Sequence, residues 1–238
     1  MRIDKLLEKK GFGSRKTVKR LFQKKLVKVD GEVVVEGRYN VDSKIHHITV
    51  REEVVCGANH VYYLMNKPKG IVTACTDAKK KTVIDLIQTQ DQTPDLYPVG
   101  RLDGDTEGLL LITDNGPLGY QLLLPEKLVS KTYEVIVNGL VTQSDVEHFQ
   151  KGIEFIGGVT CKPAQLVILS ASEKESQVRL TIQEGKFHQV KKMFLAVGKK
   201  VTDLKRIGMG PLFLQETLAS GEYRELHQKE LESLKEYF

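Results

Sequence analysis

The surplus positive charge of this 238-residue chain lies entirely in its first forty residues, and that segregation divides the chain before any secondary structure is assigned. Residues 1–40 hold 12 Lys and Arg against 5 Asp and Glu, whereas the rest of the chain holds 24 against 26. The length sits between the usual sizes of one domain and two. A basic first unit and a near-neutral second unit therefore follow, with residues 52–59 as linker and the boundary at Gly57. Lys and Arg neutralise phosphates and release counterions, so a basic unit points to a polyanionic partner. The plain alternative is a solvated, lysine-rich helix face.

The basic unit has a readable plan. Ile3, Leu6 and Leu7 have helical spacing, with Gly11 and Gly13 to end the helix. Ser14 then stands as N-cap of a second helix over 15–24, which turns Val18, Leu21 and Phe22 inward. Arg15, Lys16, Lys19, Arg20 and Lys24 remain on the outward arc as a basic stripe. Val27-Lys28-Val29 and Val33-Val34-Val35 flank Asp30-Gly31, the signature of a type I′ hairpin, and a further strand is expected over 45–50.

The second unit opens with the strand Val61 to Asn66, which runs into the turn Lys67-Pro68-Lys69-Gly70. A short helix is expected around 83–87, strands over 109–113, 131–138, 166–172 and 177–183, and helices over 119–124, 143–151 and 187–197. Strands outnumber helices. The expected fold is α+β: a small N-terminal α/β module over 1–57, and a larger domain over 58–238 with a mixed, mostly antiparallel sheet flanked by helices. No apolar run is long enough to span a bilayer, and the N-terminus has no signal-peptide core, so a cytoplasmic protein is expected. Cys56, Cys75 and Cys161 are odd in number and unpaired in spacing, which argues against a disulfide framework and a zinc site.

Chemistry is concentrated in Gly100-Arg101-Leu102-Asp103-Gly104-Asp105-Thr106-Glu107-Gly108, which feeds the apolar run Leu109 to Ile112. Three acidic residues at alternate positions form a charged loop at a strand's mouth. A turn with solvated carboxylates is one account. A cation site is another, although the calcium-loop pattern fails because Asp114 stands where its closing Glu belongs. The third is a carboxylate nucleophile held near Arg101. Spacing alone leaves all three open.

Two resemblances narrow the choice. Arg2-Ile3-Asp4-Lys5-Leu6-Leu7, Gly13-Ser14-Arg15-Lys16 and Val27-Lys28-Val29-Asp30-Gly31-Glu32 resemble the small RNA-binding module named after a ribosomal protein of the small subunit. Gly100-Arg101-Leu102-Asp103, with Thr106 and Gly108 to Leu111, resembles the active-site motif of the pseudouridine synthases. Asn66 to Gly70, Lys131-Thr132-Tyr133, Glu184 to Phe194 and Leu204-x-Arg206-Ile207-Gly208 match the same family in order and spacing. The branch most similar acts on small-subunit ribosomal RNA.

The resemblance implies isomerisation of a uridine within small-subunit ribosomal RNA by a monomer that needs no cofactor and no metal. The large-subunit branch and a non-catalytic rRNA-binding assembly factor are the alternatives. By the same resemblance Asp103 is the essential carboxylate, Lys186 the cation that keeps it ionised, and Tyr133 the aromatic residue against the target base. Arg101 enters the RNA stack, or else clamps a phosphate or pairs with Glu107. Leu180 walls the pocket or packs in the core. Arg15, Lys16, Lys19 and Arg20 hold RNA. Lys186, Lys191 and Lys192 stand where the family often has arginine, so the contacts of Lys191 and Lys192 to RNA should be less directional. His188 is expected to contact RNA backbone or make a structural hydrogen bond.

Overall fold

The computed structural model describes residues 1–57, 60–155 and 157–238. The chain begins with α1 (Ile3–Lys9) and α2 (Arg15–Gln23), then β1 (Val27–Val29), β2 (Glu32–Val33), β3 (Ile48–Val50) and β4 (Glu53–Val54). The four strands form an antiparallel sheet in the order β2-β1-β3-β4. The apolar stripes of α1 and α2 bury Ile3, Leu6, Leu7, Val18, Leu21 and Phe22 against Val27, Val29, Ile48 and Val50 in one core. Asp30 and Gly31 take the left-handed φ values, 51° and 88°, that a two-residue type I′ turn requires. Ser14 occupies the N-cap position of α2, but its hydroxyl meets that of Thr17 at 3.3 Å and caps no amide.

Two expectations for this module are corrected. The strand expected over 45–50 is shortened to Ile48–Val50, because the amides of Ile45 and His46 turn back onto the Asp42 carbonyl at 3.0 and 2.7 Å. The first part of the expected linker is structured. Arg51 and Glu52, both at positive φ, make a second tight turn into β4, and Val55 is buried in the module's core. Ala58 and Asn59, which complete that segment, lie outside the described residues.

The remaining elements are β5 (Tyr62–Lys67), β6 (Tyr97–Pro98), β7 (Glu107–Thr113), α3 (Gly116–Leu123), β8 (Lys131–Asn138), α4 (Gln143–Lys151), β9 (Gln165–Ala171), β10 (Glu175–Ile182), α5 (Gln189–Ala196), β11 (Val201–Met209), β12 (Leu212–Phe213), β13 (Tyr223–Glu225) and α6 (Gln228–Ser233). Their sheet runs β13-β5-β7-β11-β8-β10-β9, with β6 on β7 and β12 on β11. Among the described residues β7 and β11 are its one parallel pair, so the sheet is mixed and mostly antiparallel as expected. Strands β5 and β7 are apolar at consecutive positions because both faces are covered. Tyr63, Met65, Leu110 and Ile112 pack in one cluster, and Tyr62, Leu64, Leu109 and Leu111 in another.

The module is fastened to this larger domain by a buried polar knot. Asp42, with no exposed surface, accepts hydrogen bonds from the Tyr62 hydroxyl at 2.6 Å and the His60 amide at 3.2 Å. Asn115 Nδ2 donates to the same Tyr62 oxygen at 2.8 Å. Around the knot, Ile45 packs into the larger domain's core, the Phe238 ring meets His46 edge-on at 4.7 Å, and Lys235 pairs with Asp30 at 2.8 Å.

Candidate active site

Strand register brings distant motifs into one row. Lys67 pairs with Gly108, Gly108 with Arg206, Arg206 with Tyr133, Tyr133 with Leu180, and Leu180 with Leu166, across β5, β7, β11, β8, β10 and β9. Cross-strand partners share a face, so these six residues line one side of the sheet. Gly108 is the gap in the row. It has φ +108°, and a Cβ there would stand 2.2 Å from the Arg206 carbonyl oxygen, so a glycine is needed for β7 and β11 to meet. Arg206 is 2% exposed, and its Nε donates to the Leu109 carbonyl at 2.8 Å.

The loop carrying Asp103 enters β7 beside this row and is held by the chain that leaves β5. Lys67 Nζ donates to the carbonyl oxygens of Pro68, Asp103 and Thr106 at 3.1, 3.1 and 2.9 Å. The Gly70 amide reaches the Gly104 carbonyl at 2.6 Å. Thr73 Oγ1 both donates to the Leu102 carbonyl at 2.8 Å and accepts from the Leu102 amide at 3.2 Å. Backbone groups on both sides of Asp103 are thereby held in place. Burial pulls the Lys67 ammonium down to about 8, against the raising effect of Asp105 and Asp103.

The Asp103 carboxylate meets α5. Lys191 Nζ donates to Asp103 Oδ2 at 2.9 Å and to Asp105 Oδ1 at 2.7 Å, and His188 Nε2 lies 3.6 Å from Asp103 Oδ1. Burial lowers the Lys191 ammonium, but the hydrogen bonds to Asp105 and Asp103 more than offset it and the net shift is upward. The same bond from Lys191 holds the Asp105 carboxyl below its ordinary value. Lysine thus stays charged between two carboxylates. Leu102, next in the chain to Asp103, packs in the same apolar cluster as Tyr133 and Leu180. A carboxylate with a fixed counter-charge beside an apolar wall suits attack on a sugar or base and stabilisation of a cation. Among the described residues no three His, Cys, Asp or Glu side chains are grouped to hold a metal.

Residues 61–196 match the RNA pseudouridylate synthase family, and residues 1–44 match the S4 domain. The chain belongs to the RNA pseudouridine synthase family. Pseudouridine synthases isomerise uridine to pseudouridine in RNA, and this one is 42% identical to an RNA pseudouridine synthase of Bacillus subtilis over 99% of both chains. It is 38% identical to the ribosomal small subunit pseudouridine synthase A of Vibrio cholerae, covering 98% of this chain and 99% of that one. It is also 36% identical to the ribosomal large subunit pseudouridine synthase B of Bacillus subtilis, covering 98% and 95%. A crystal structure of a pseudouridylate synthase, 33% identical, aligns with a TM-score of 0.67 over 98% of this chain and 99% of that one.

Seen against the synthase's geometry, one sequence assignment changes. Lys186 makes no ion pair with Asp103 among the described residues. It is ion-paired with Glu184, while its backbone amide donates to Gln189 Oε1 at 2.8 Å and Gln189 Nε2 donates to Glu184 Oε1 at 2.7 Å. His188 takes a left-handed conformation, φ 53°, which starts α5 at Gln189 and carries Lys191 to the carboxylate. The pair of Arg101 with Glu107, the alternative to an RNA contact, is absent among the described residues. Glu107 faces Lys205 at 4.0 Å, and Arg101 is exposed without an ion-pair partner among the described residues. Tyr133 and Leu180 stand opposite one another in the row, and Lys192 is exposed. Arg15, Lys16, Lys19 and Arg20 are exposed and unpaired among the described residues. Sequence reasoning gave no role to Lys67 or Asp105. A lysine closing a run of buried strand residues was the available signal for Lys67.

Among the described residues no helix is long and apolar enough to cross a membrane.

Proposed function

We propose that this synthase isomerises a uridine of small-subunit ribosomal RNA, with Asp103 as the essential carboxylate and Lys191 as its counter-charge. The N1–C1′ bond breaks, a C5–C1′ bond forms, the C5 proton leaves and N1 gains a proton, so the sum is an isomerisation. The observation that carries the assignment of Asp103 is its 2.9 Å bond to Lys191 on a loop fixed by Lys67, Gly70 and Thr73. Tyr133 lies against the extracted base, where its hydroxyl is in reach of a migrating proton, and Leu180, with no exposed surface, backs it from the apolar core. Lys186 acts through Glu184 and the start of α5. Arg101, Lys191 and Lys192 meet the RNA around the target, and Arg15, Lys16, Lys19 and Arg20 hold structured RNA by phosphate and shape.

The division of labour follows the chain: an RNA-binding module over 1–57 and a catalytic domain over 58–238. One copy carries the whole site, so a monomer suffices, and a ribosomal substrate is met in the cytoplasm. The small subunit is favoured by the near full-length match to synthases named for it. A second choice, the large subunit, rests on the similar match to a synthase named for that particle.

The test uses purified protein with separate transcripts of small- and large-subunit ribosomal RNA, reading pseudouridine as carbodiimide-dependent reverse-transcription stops. A new stop in the small-subunit transcript alone supports the proposal. A stop only in the large-subunit transcript transfers the substrate, and no stop in either favours a non-catalytic assembly factor.

A further inference from the structure

Phe187 is the most exposed large hydrophobic side chain among the described residues, at 69% of its surface, yet it stands one residue from the group that borders Asp103. A single exposed apolar side chain is ordinary on a protein surface and by itself implies no partner. Three features set it apart from stray surface apolar residues. Its ring is stacked on His188, with centroids 3.8 Å apart and planes 21° from parallel. His188 is held at φ 53°, an unfavourable conformation for a residue with a Cβ, and its Nε2 lies 3.6 Å from Asp103 Oδ1. Lys192 Nζ lies 5.1 Å from the Phe187 centroid and 5.7 Å from that of Phe155.

The arrangement is a stacked aromatic pair leading outward from the carboxylate, with an exposed cation beside it. Unpaired bases of RNA are commonly held by stacking on aromatic rings, with basic side chains on the adjoining phosphates. Extrusion of a uridine leaves the neighbouring base without its stacking partner, which an exposed ring at the rim replaces. We infer that Phe187, stiffened by His188, is a stacking platform for the nucleobase next to the target uridine, and that Lys192 moves from the ring to that nucleotide's phosphate. The inference deepens the proposed function and rests on it. Phe187 is here a residue that sets substrate affinity and choice of neighbouring base; it takes no part in bond making.

The chain contains no tryptophan, so Phe187→Trp introduces a single indole at the platform, excited to the red of the eight tyrosines. Titrating this variant with transcribed small-subunit ribosomal RNA should quench its emission saturably, at the concentrations that support turnover. In parallel, release of tritium from C5-labelled uridine in the same transcript gives kcat and KM. Phe187→Leu and Phe187→Ala should raise KM on the order of ten- to a hundredfold, with the smaller part of the loss in kcat, whereas Phe187→Tyr should restore the wild-type value. Unchanged emission at saturating RNA, or a Phe187→Leu variant equal to wild type, overturns the platform. If wild type itself releases no tritium, the failure falls on the proposed activity, while the emission titration still decides whether RNA stacks at Phe187.

Discussion

Replacing Lys191 by Met should slow the synthase strongly, and replacing Lys186 by Met should not, although the two lysines sit five residues apart in one motif. Lys191 is a quarter exposed and shares its ammonium between Asp103 and Asp105. A hydrogen bond between charged groups contributes about 1.5–3 kcal/mol when solvent is partly excluded. If the bond to Asp103 matters mainly in the transition state, its loss corresponds to roughly ten- to 150-fold in rate. Two carboxylates left without their cation push the effect towards the upper end. Lys191→Arg should recover much of the rate because the charge remains. Lys186→Met breaks a pair with Glu184 and leaves the contact at Asp103 intact, so its effect should stay within a few-fold. Single-turnover tritium release at saturating RNA separates chemistry from binding. A Lys186→Met variant slowed more than Lys191→Met would refute the assignment of the counter-charge.

Neutralising Arg15, Lys16, Lys19 and Arg20 together should weaken RNA binding and flatten the dependence of log Kd on log salt by roughly two to four units, at about 0.7–0.9 per lost phosphate contact, measured by filter binding across a salt series. Gly108→Ala should lower stability by about 3 kcal/mol or more and reduce the yield of folded protein, because its Cβ meets the Arg206 backbone at 2.2 Å; thermal unfolding reads this directly. The third concerns pH. Lys67 has a folded-state pKa of about 8, below its ordinary 10.5, so its burial penalty is present in full below about 8 and is relieved as pH rises towards 10.5. The neutral amine has only two protons for the three carbonyls that the ammonium bonds, so kcat should fall above pH 8 while thermal stability does not, and Lys67→Met should be slow at every pH.

The parts of this architecture written in local pattern were legible in the sequence. The stripe Val18, Leu21 and Phe22 defines α2, the Asp30-Gly31 pair sets the first hairpin, and strands such as β8 follow from their apolar alternation. Strand β11 was not expected, although it is central to the sheet. Its inward row includes Arg206, a fully buried cation that disguises the alternation, and its register shifts at Arg206 to Gly208. Strand β13 and helix α6 are short and polar, and gain order from packing. Within the site, motifs pointed to Asp103 but gave its counter-charge to Lys186, whereas the structure sets Lys191 there. That placement depends on the left-handed turn at His188 and the phase of α5, which are tertiary properties. The clamp by Lys67 is also tertiary, since it joins the end of β5 to a loop 36 residues later.

The central claim is that Asp103 performs the chemistry on a scaffold built to hold it. Asp103→Asn keeps the shape and removes the charge, so the decisive measurement is its single-turnover rate of tritium release at saturating small-subunit ribosomal RNA, alongside its thermal unfolding and RNA affinity. No detectable product is expected, with folding and affinity close to wild type. A rate within tenfold of wild type would contradict it.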